Sequence, residues 1–274
     1  MAAAHSVADA PASSHAALRR NERPITADVV SMSRNFYGVV RVRQVGGPQA
    51  LERKLVHGTI LHGHQYLSGE TRRRPTSYYV ETSGIGRLLR AMHDRPVDVG
   101  VVGLGTGTIA AYGKPGDRYH FFEIDPAVVA VAQRYFTFLA DSPAAVKLHV
   151  GDGRLLLQQG VAPLLDVLAV DAFSGDSIPV HLLTREAVEL YLQRDHAADM
   201  RLHVAYVDDE IQHDDGPEKS SSDWILLARD RAPLDVAMIR EASRELPQAR
   251  PRKPWTDDYS NIAQVMALTH AIAN

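Results

Sequence analysis

From residue 25 to about residue 67 apolar and polar positions alternate. The alternation is clearest in "NFYGVVRVRQV", from Asn35, and "KLVHGTILHGHQYL", from Lys54. Short β-branched and aromatic runs broken by glycine or proline predict antiparallel strands, and Gly46-Gly47-Pro48 marks a turn between them. No internal repeat is visible here. "SYYVETSGIGRLLRAMHD" then takes a helical period in its second half. From Val97 the rhythm changes. The apolar runs "VDVGVVGLG", "RYHFFEID", "VKLHVGDG" and "LLDVLAVDAF" predict strands. The intervening "TGTIAAYG", "PAVVAVAQRYF" and "RLLLQQG" predict short helices. Strand and helix in alternation imply parallel βαβ units with right-handed crossovers. Farther on, "RLHVAYVDDE" and "SSDWILLARD" predict a terminal antiparallel hairpin, and "LDVAMIREASREL" a helix. The expected fold class is therefore α/β. A Rossmann-like parallel sheet over 83–274 follows a small antiparallel β domain over 25–82, after a disordered leader over 1–24.

Composition narrows the partners. The chain has 274 residues, 45% apolar and 23% charged, as in an ordinary soluble globular protein. A net charge of -3 removes the electrostatic case for nucleic acid or an anionic membrane as the main partner. The absence of cysteine excludes disulfides, thiolate nucleophiles and zinc-thiolate centres, and no metal site is expected. No apolar run reaches the ~18 to 20 residues of a membrane span. The "MAAAHSVADAPASSHAALRR" start lacks the continuous apolar core of a signal peptide, so the cytoplasm is the expected location. Arg72-Arg73-Arg74 reads as a solvated loop.

Chemistry concentrates at the ends of the four central strands. Gly103, Gly105 and Gly107 follow the first. Glycine is favoured where a turn needs positive φ or a ligand approaches the backbone, and a strand, a glycine turn and a helix start make a nucleotide-binding corner. The second strand ends in Glu123, twenty positions after Gly103, where an acid can accept hydrogen bonds from ribose hydroxyls. Asp125, before Pro126, reads as a helix cap. The third strand ends in Gly151-Asp152-Gly153 and the fourth in Asp171. Acids in register at one sheet edge define a candidate nucleoside site. The glycines fall as Gly-x-Gly-x-Gly rather than the Gly-x-Gly-x-x-Gly of dinucleotide folds, and the acid-ended second strand with the Gly-Asp-Gly after the third resembles S-adenosylmethionine enzymes instead.

"DAFSGDSIPVHLLTREAVELY", with "HGTILHGHQYL", "PTSYYVETSGIG" and "WTDDYSN", resembles the spermidine synthase-like family of polyamine aminopropyltransferases over about residues 35 to 264. Within it, the chain is most similar to a bacterial branch in which such a domain is often fused behind a membrane transporter domain, and is expected to stand without that segment. The resemblance implies a transferase whose donor, decarboxylated S-adenosylmethionine, is a co-substrate rather than a resident cofactor. Gly103, Gly105, Thr106, Gly107, Glu123, Asp152 and Gly153 would hold the donor, Glu123 at its ribose and Asp152 at the adenine amino group. Asp171 would orient and deprotonate the attacking amine. Asp176 would hold a distal ammonium, and Tyr78 and Gln65 would line the pocket. The acceptor would be a polyamine such as putrescine, and the resemblance leaves a homodimer open.

The pattern departs from the family at two points. Synthases carry an acid for the donor's amine where this chain has Thr106, which favours an intact methionine tail and hence a methyltransferase. Between Arg194 and Leu202 there is too little chain for the family's fifth strand and its crossover, which need about 10 to 12 residues. A strand fewer is expected, and a non-catalytic nucleoside-binding remnant is the third reading.

Overall fold

The computed structural model describes residues 28–47, 51–92, 95–172, 179–193, 203–210, 216, 219–228, 230–245 and 254–259. The expected leader, Asp176 and the 194–202 gap lie outside the described residues. In chain order the first elements are the strands β1 (Val29–Asn35), β2 (Gly38–Val45), β3 (Glu52–His57) and β4 (Ile60–Tyr66), then helix α1 (Gly84–Ala91). The α/β part follows with β5 (Asp98–Val102), β6 (Arg118–Glu123), α2 (Pro126–Tyr135), α3 (Phe138–Asp141), β7 (Ala145–Val150), α4 (Gly153–Gln158), β8 (Val167–Val170) and α5 (Arg185–Gln193). The last elements are β9 (His203–Asp209), β10 (Ser222–Ala228), α6 (Ala237–Arg240) and β11 (Ser243–Arg244).

The alternating N-terminal stretch forms the antiparallel sheet β1-β2-β3-β4. The four apolar strands form a parallel sheet in the order β7-β6-β5-β8, with Val99 beside Tyr119 and Val167, and Val101 beside Phe121 and Ala169. This is an α/β, Rossmann-like sheet, as the alternation of elements predicts. Successive side chains of a strand face opposite ways. Val99, Val101, Tyr119 and Phe121 therefore pack with α1, α2 and the hairpin residues Val40, Val42 and Leu55. Val102 and Phe122 face Leu157, Leu165 and Leu182 on the other side. No helix among the described residues is long and apolar enough to cross a membrane.

The hairpin sheet is tied to the α/β sheet by polar bonds as well. Arg53 donates to the Tyr135 carbonyl at 2.9 Å, and Asn35 to Asp125 Oδ1 at 2.6 Å. Gln65, fully buried, donates to the Arg72 carbonyl and Thr137 Oγ1, both at 2.9 Å, and accepts from the Thr137 N–H at 2.8 Å. Its amide is thus spent holding β4 to the start of α3. Gln65→Leu should lower the free energy of unfolding by about 1 to 3 kcal/mol, the cost of leaving buried partners unsatisfied. Urea denaturation would read this, and an unchanged midpoint would remove the tie from the account.

Three local expectations are corrected. The segment after the glycines is a 3-10 turn, Thr108–Tyr112, rather than an α-helix; Gly107 precedes it without a side-chain cap. The final helix stops at Arg240, because Ser243 turns its hydroxyl back to the Ile239 carbonyl at 2.8 Å and its backbone pairs with Val207. The terminal hairpin β9-β10 forms as expected, Trp224 opposite Val207, and with that short strand makes a separate sheet, β10-β9-β11. The basic run is not a plain loop: Arg72 and Arg73 end a 3-10 turn, Glu70–Arg73, in which Arg72 pairs with Asp141 at 3.0 Å, while Arg73 and Arg74 are exposed.

Candidate active site

The carboxyl ends of β5, β6, β7 and β8 open into a single cleft of about 850 Å³, solvent at its mouth included. Gly103, Gly105, Glu123, Asp152, Gly153, Asp171 and Tyr78 all line it. A sheet ordered β7-β6-β5-β8 necessarily collects the ends of these strands along one edge, where open α/β sheets bind ligands. The cleft contains four carboxylates, those of Glu123, Asp125, Asp152 and Asp171, and neither lysine nor arginine among its described lining.

Asp171 sits deepest in charge terms. Its N–H donates to the Val102 carbonyl at 2.9 Å, continuing β8 by one residue. The Tyr79 hydroxyl donates to Oδ2, and the Tyr78 hydroxyl also bonds the carboxylate. Burial pushes its pKa from 3.8 up to about 6, while the two tyrosine bonds pull the other way. Burial is the larger influence, so the group titrates near neutrality and is poised to take up a proton. The tyrosines are themselves raised well above 10, first by burial and then by Asp171, and stay as donors. Their rings lie 4.6 Å apart, and Tyr112 donates to the Tyr79 carbonyl at 2.5 Å.

Glu123 is fixed by backbone donors. Oε2 accepts from the Leu104 N–H at 3.0 Å and Oε1 from the Asp125 N–H at 2.9 Å. Burial raises its pKa, and those N–H bonds oppose the rise. With the Ile124 N–H as a third backbone donor, the carboxylate still keeps a lone pair for a hydroxyl donor in the cleft. Beside it, Ile124 offers an apolar rim, 43% exposed. Asp125 caps α2 by accepting from the Ala127 N–H at 2.8 Å, as its place before Pro126 predicts.

Asp152 has two attachments. Oδ1 caps α4 by accepting from the Leu155 N–H at 2.9 Å, and Oδ2 meets His181 Nε2 at 2.8 Å. Next to it Arg154 makes a two-pronged ion pair with Asp257, both bonds 2.7 Å, and donates to the His181 carbonyl at 2.7 Å. Thr184 donates to Asp257 at 2.8 Å, and these bonds hold the Asp257 pKa down at about 2. The stretch from Trp255 to Asp257 thus braces the wall of the cleft behind Asp152.

Three anticipated residues stand elsewhere. Gln65 is engaged in the tie described above. Thr106 is 1% exposed, with its hydroxyl 2.7 Å from that of Thr108, and Gly107 packs against Leu139. None of the three lines the cleft. Conversely Tyr79, His57, His62 and His181 come from chain segments whose local pattern marks only strands and turns. For Tyr79 the doubled tyrosine before Val80 was the available signal. Among the described residues no group of three or more His, Asp or Glu is arranged to hold a metal ion.

Topology and cleft together define a Rossmann-like α/β protein with an acid-lined site at the carboxyl edge of its sheet. No protein-family model matches the sequence. Over 113 residues the chain is 35% identical to the polyamine aminopropyltransferase of Vibrio vulnificus (strain CMCP6), a match covering 39% of this chain and 36% of that protein. The chain thus aligns with about a third of the length of this curated relative. Solved structures similar to it include the spermidine synthase of Thermotoga maritima: 16% identity, TM-score 0.45, covering 66% of this chain and 58% of that one. Another is a probable spermidine synthase from Corynebacterium glutamicum: 21% identity, TM-score 0.48, covering 65% and 64%.

Proposed function

We propose that the chain is an aminopropyltransferase that joins a polyamine such as putrescine to the aminopropyl group of decarboxylated S-adenosylmethionine. The observation that carries the reading is Asp171: a half-buried carboxylate with a pKa of about 6, oriented by two tyrosine hydroxyls, in one cleft with Glu123 and Asp152. Similarity to an aminopropyltransferase over 113 residues supports it, as does the resemblance of "DAFSGDSIPVHLLTREAVELY", taken with "HGTILHGHQYL", "PTSYYVETSGIG" and "WTDDYSN", to the spermidine synthase-like family.

The chemistry follows from the residues. Glu123 accepts hydrogen bonds from the donor's ribose hydroxyls and Asp152 from the adenine amino group, with Ile124 against the base. The acceptor is a cation and needs carboxylates at its ammonium groups; Asp176 serves the distal one. Its near nitrogen attacks the methylene carbon bonded to sulfonium. The new C–N bond forms as the C–S bond breaks, and the electron pair of that bond neutralises sulfur to a thioether. Asp171 takes the proton that the nitrogen sheds. Since sulfonium already activates the carbon, holding nitrogen and carbon in line is the main task of the cleft.

Incubating the purified chain with putrescine and either donor tests this directly. Spermidine formed from the decarboxylated donor supports it; methyl transfer from the intact donor would assign a methyltransferase instead. Binding of both donors without turnover would leave the remnant reading. Glu123→Ala should weaken nucleoside binding by about 1.5 to 3 kcal/mol, the worth of a hydrogen bond to a charged group. Calorimetry that finds unchanged affinity would take Glu123 out of the site.

A further inference from the structure

The glycine corner lies beneath the β3–β4 hairpin, and the contact is close. A Cβ at Gly105 would stand 2.8 Å from the His62 carbonyl oxygen, and one at Gly63 would stand 2.6 Å from Thr106 Oγ1. Gly63 thus lets the hairpin rest on Thr106, which hides that side chain from the cleft. The polar group presented here is the neighbouring one. His62 lines the cleft, and its Nε2 is shielded from solvent with no hydrogen-bond partner. His57, the ring beside it at 5.6 Å, is already engaged with the Tyr37 carbonyl at 2.8 Å.

Resting on the aminopropyltransferase reading, we propose that His62 contacts the tail of the sulfonium donor and favours a tail that ends in an ammonium group without a carboxylate. Along the sheet edge, Asp152 and Glu123 mark the base and ribose positions, so the next strand end, at Gly103 and Gly105, receives the tail. That is where His62 stands. Burial and the neighbouring His57 hold the His62 pKa down at about 4, so the ring is neutral at pH 7 and one nitrogen can accept from an ammonium. A tail carboxylate would instead enter a cleft of four carboxylates with no described lysine or arginine in its lining. His62 therefore takes over the specificity that Thr106, buried and bonded to Thr108, does not provide.

Calorimetry on the full chain with three nucleosides tests this: decarboxylated S-adenosylmethionine, S-adenosylmethionine, and methylthioadenosine, which has no tail. Wild type should bind the decarboxylated donor more tightly than the intact one. His62→Leu, which fills the space without an acceptor, should bind the decarboxylated donor about tenfold or more weakly. The same variant should hold methylthioadenosine within about twofold, and His62→Asn should recover part of the loss. Circular dichroism melts confirm that both variants fold. Equal weakening of donor and methylthioadenosine in the leucine variant would overturn the tail contact, as would unchanged donor affinity or a wild-type preference for the intact donor. Failure of wild type to bind methylthioadenosine would overturn the nucleoside reading, and the inference with it.

Discussion

Asp171→Asn should cut turnover of the decarboxylated donor and putrescine by ~100- to 10,000-fold, the usual worth of a positioned general base, while donor affinity stays near that of wild type. The amide has the shape of the carboxylate, and its oxygen still accepts from a tyrosine hydroxyl; what is lost is the proton acceptor and, at the amide nitrogen, an acceptor for tyrosine. The pH profile gives an independent mark. A base works unprotonated, and the Asp171 pKa is about 6. Wild-type kcat/KM should therefore fall as pH drops through about 6 and recover above it, and this limb should vanish in the variant. Asp176→Asn should behave differently, raising the amine concentration needed without lowering the maximal rate, because its counter-charge is remote from the reacting nitrogen. Equal rates for wild type and Asp171→Asn in steady-state assays would sink the catalytic assignment.

Gly103→Ala should be the most damaging small substitution in the fold, costing about 2 to 5 kcal/mol from backbone strain and overpacking together. Gly103 has a φ of 100°, and a Cβ there would run into the Asp171 carbonyl oxygen, a backbone atom that has no rotamer to escape by. The residue is also suspended between strands: its N–H donates to the Phe122 carbonyl at 2.8 Å while Asp171 hangs from Val102. A loss of that size is a large part of the 5 to 15 kcal/mol that holds a typical domain folded. Gly58→Ala is the control. Its φ is 62°, but nothing lies within 4 Å of the added methyl, so it should cost only about 1 to 2 kcal/mol. Denaturant midpoints for the pair decide the matter, and equal losses would show that contact with Asp171 is immaterial.

The parallel sheet was legible because its strands are short apolar runs that end in glycine or an acid. Parallel strands buried on both faces, as β5 and β6 are, read that way whatever surrounds them. The acids Glu123, Asp152 and Asp171 were legible for the same reason, since each terminates such a run and one sheet edge gathers them. The hairpin's placement was not. His62 lies 43 positions before Gly105, and no local period reveals which of two adjacent polar groups an overlying loop buries. So the sequence pattern aims Thr106 at the ligand, whereas Gly63 covers it. Gln65 misled in a similar way: a polar side chain near a site carries the same letter whether it meets a ligand or ties two loops. The short turn at Thr108 escaped because 3-10 and α-helical starts share composition, and hydrogen bonding alone separates them.

The clamp on Arg154 bears on the order in which the cleft is completed during synthesis. Asp257 lies 103 residues beyond Arg154, and the backbone around it is anchored too: Arg185 N–H donates to the Trp255 carbonyl at 2.8 Å, and Asp257 N–H to Glu186 at 3.1 Å. Strands β5 to β8, and with them Glu123, Asp152 and Asp171, leave the ribosome well before these partners. Closure over so long a span waits for the distal chain, since a contact cannot form before both ends exist. Until Trp255 and Asp257 are made, Arg154 and Thr184 lack their shared carboxylate and the wall behind Asp152 stands unbraced. The acids of the cleft are thus made earlier in translation than the brace that steadies one side of it.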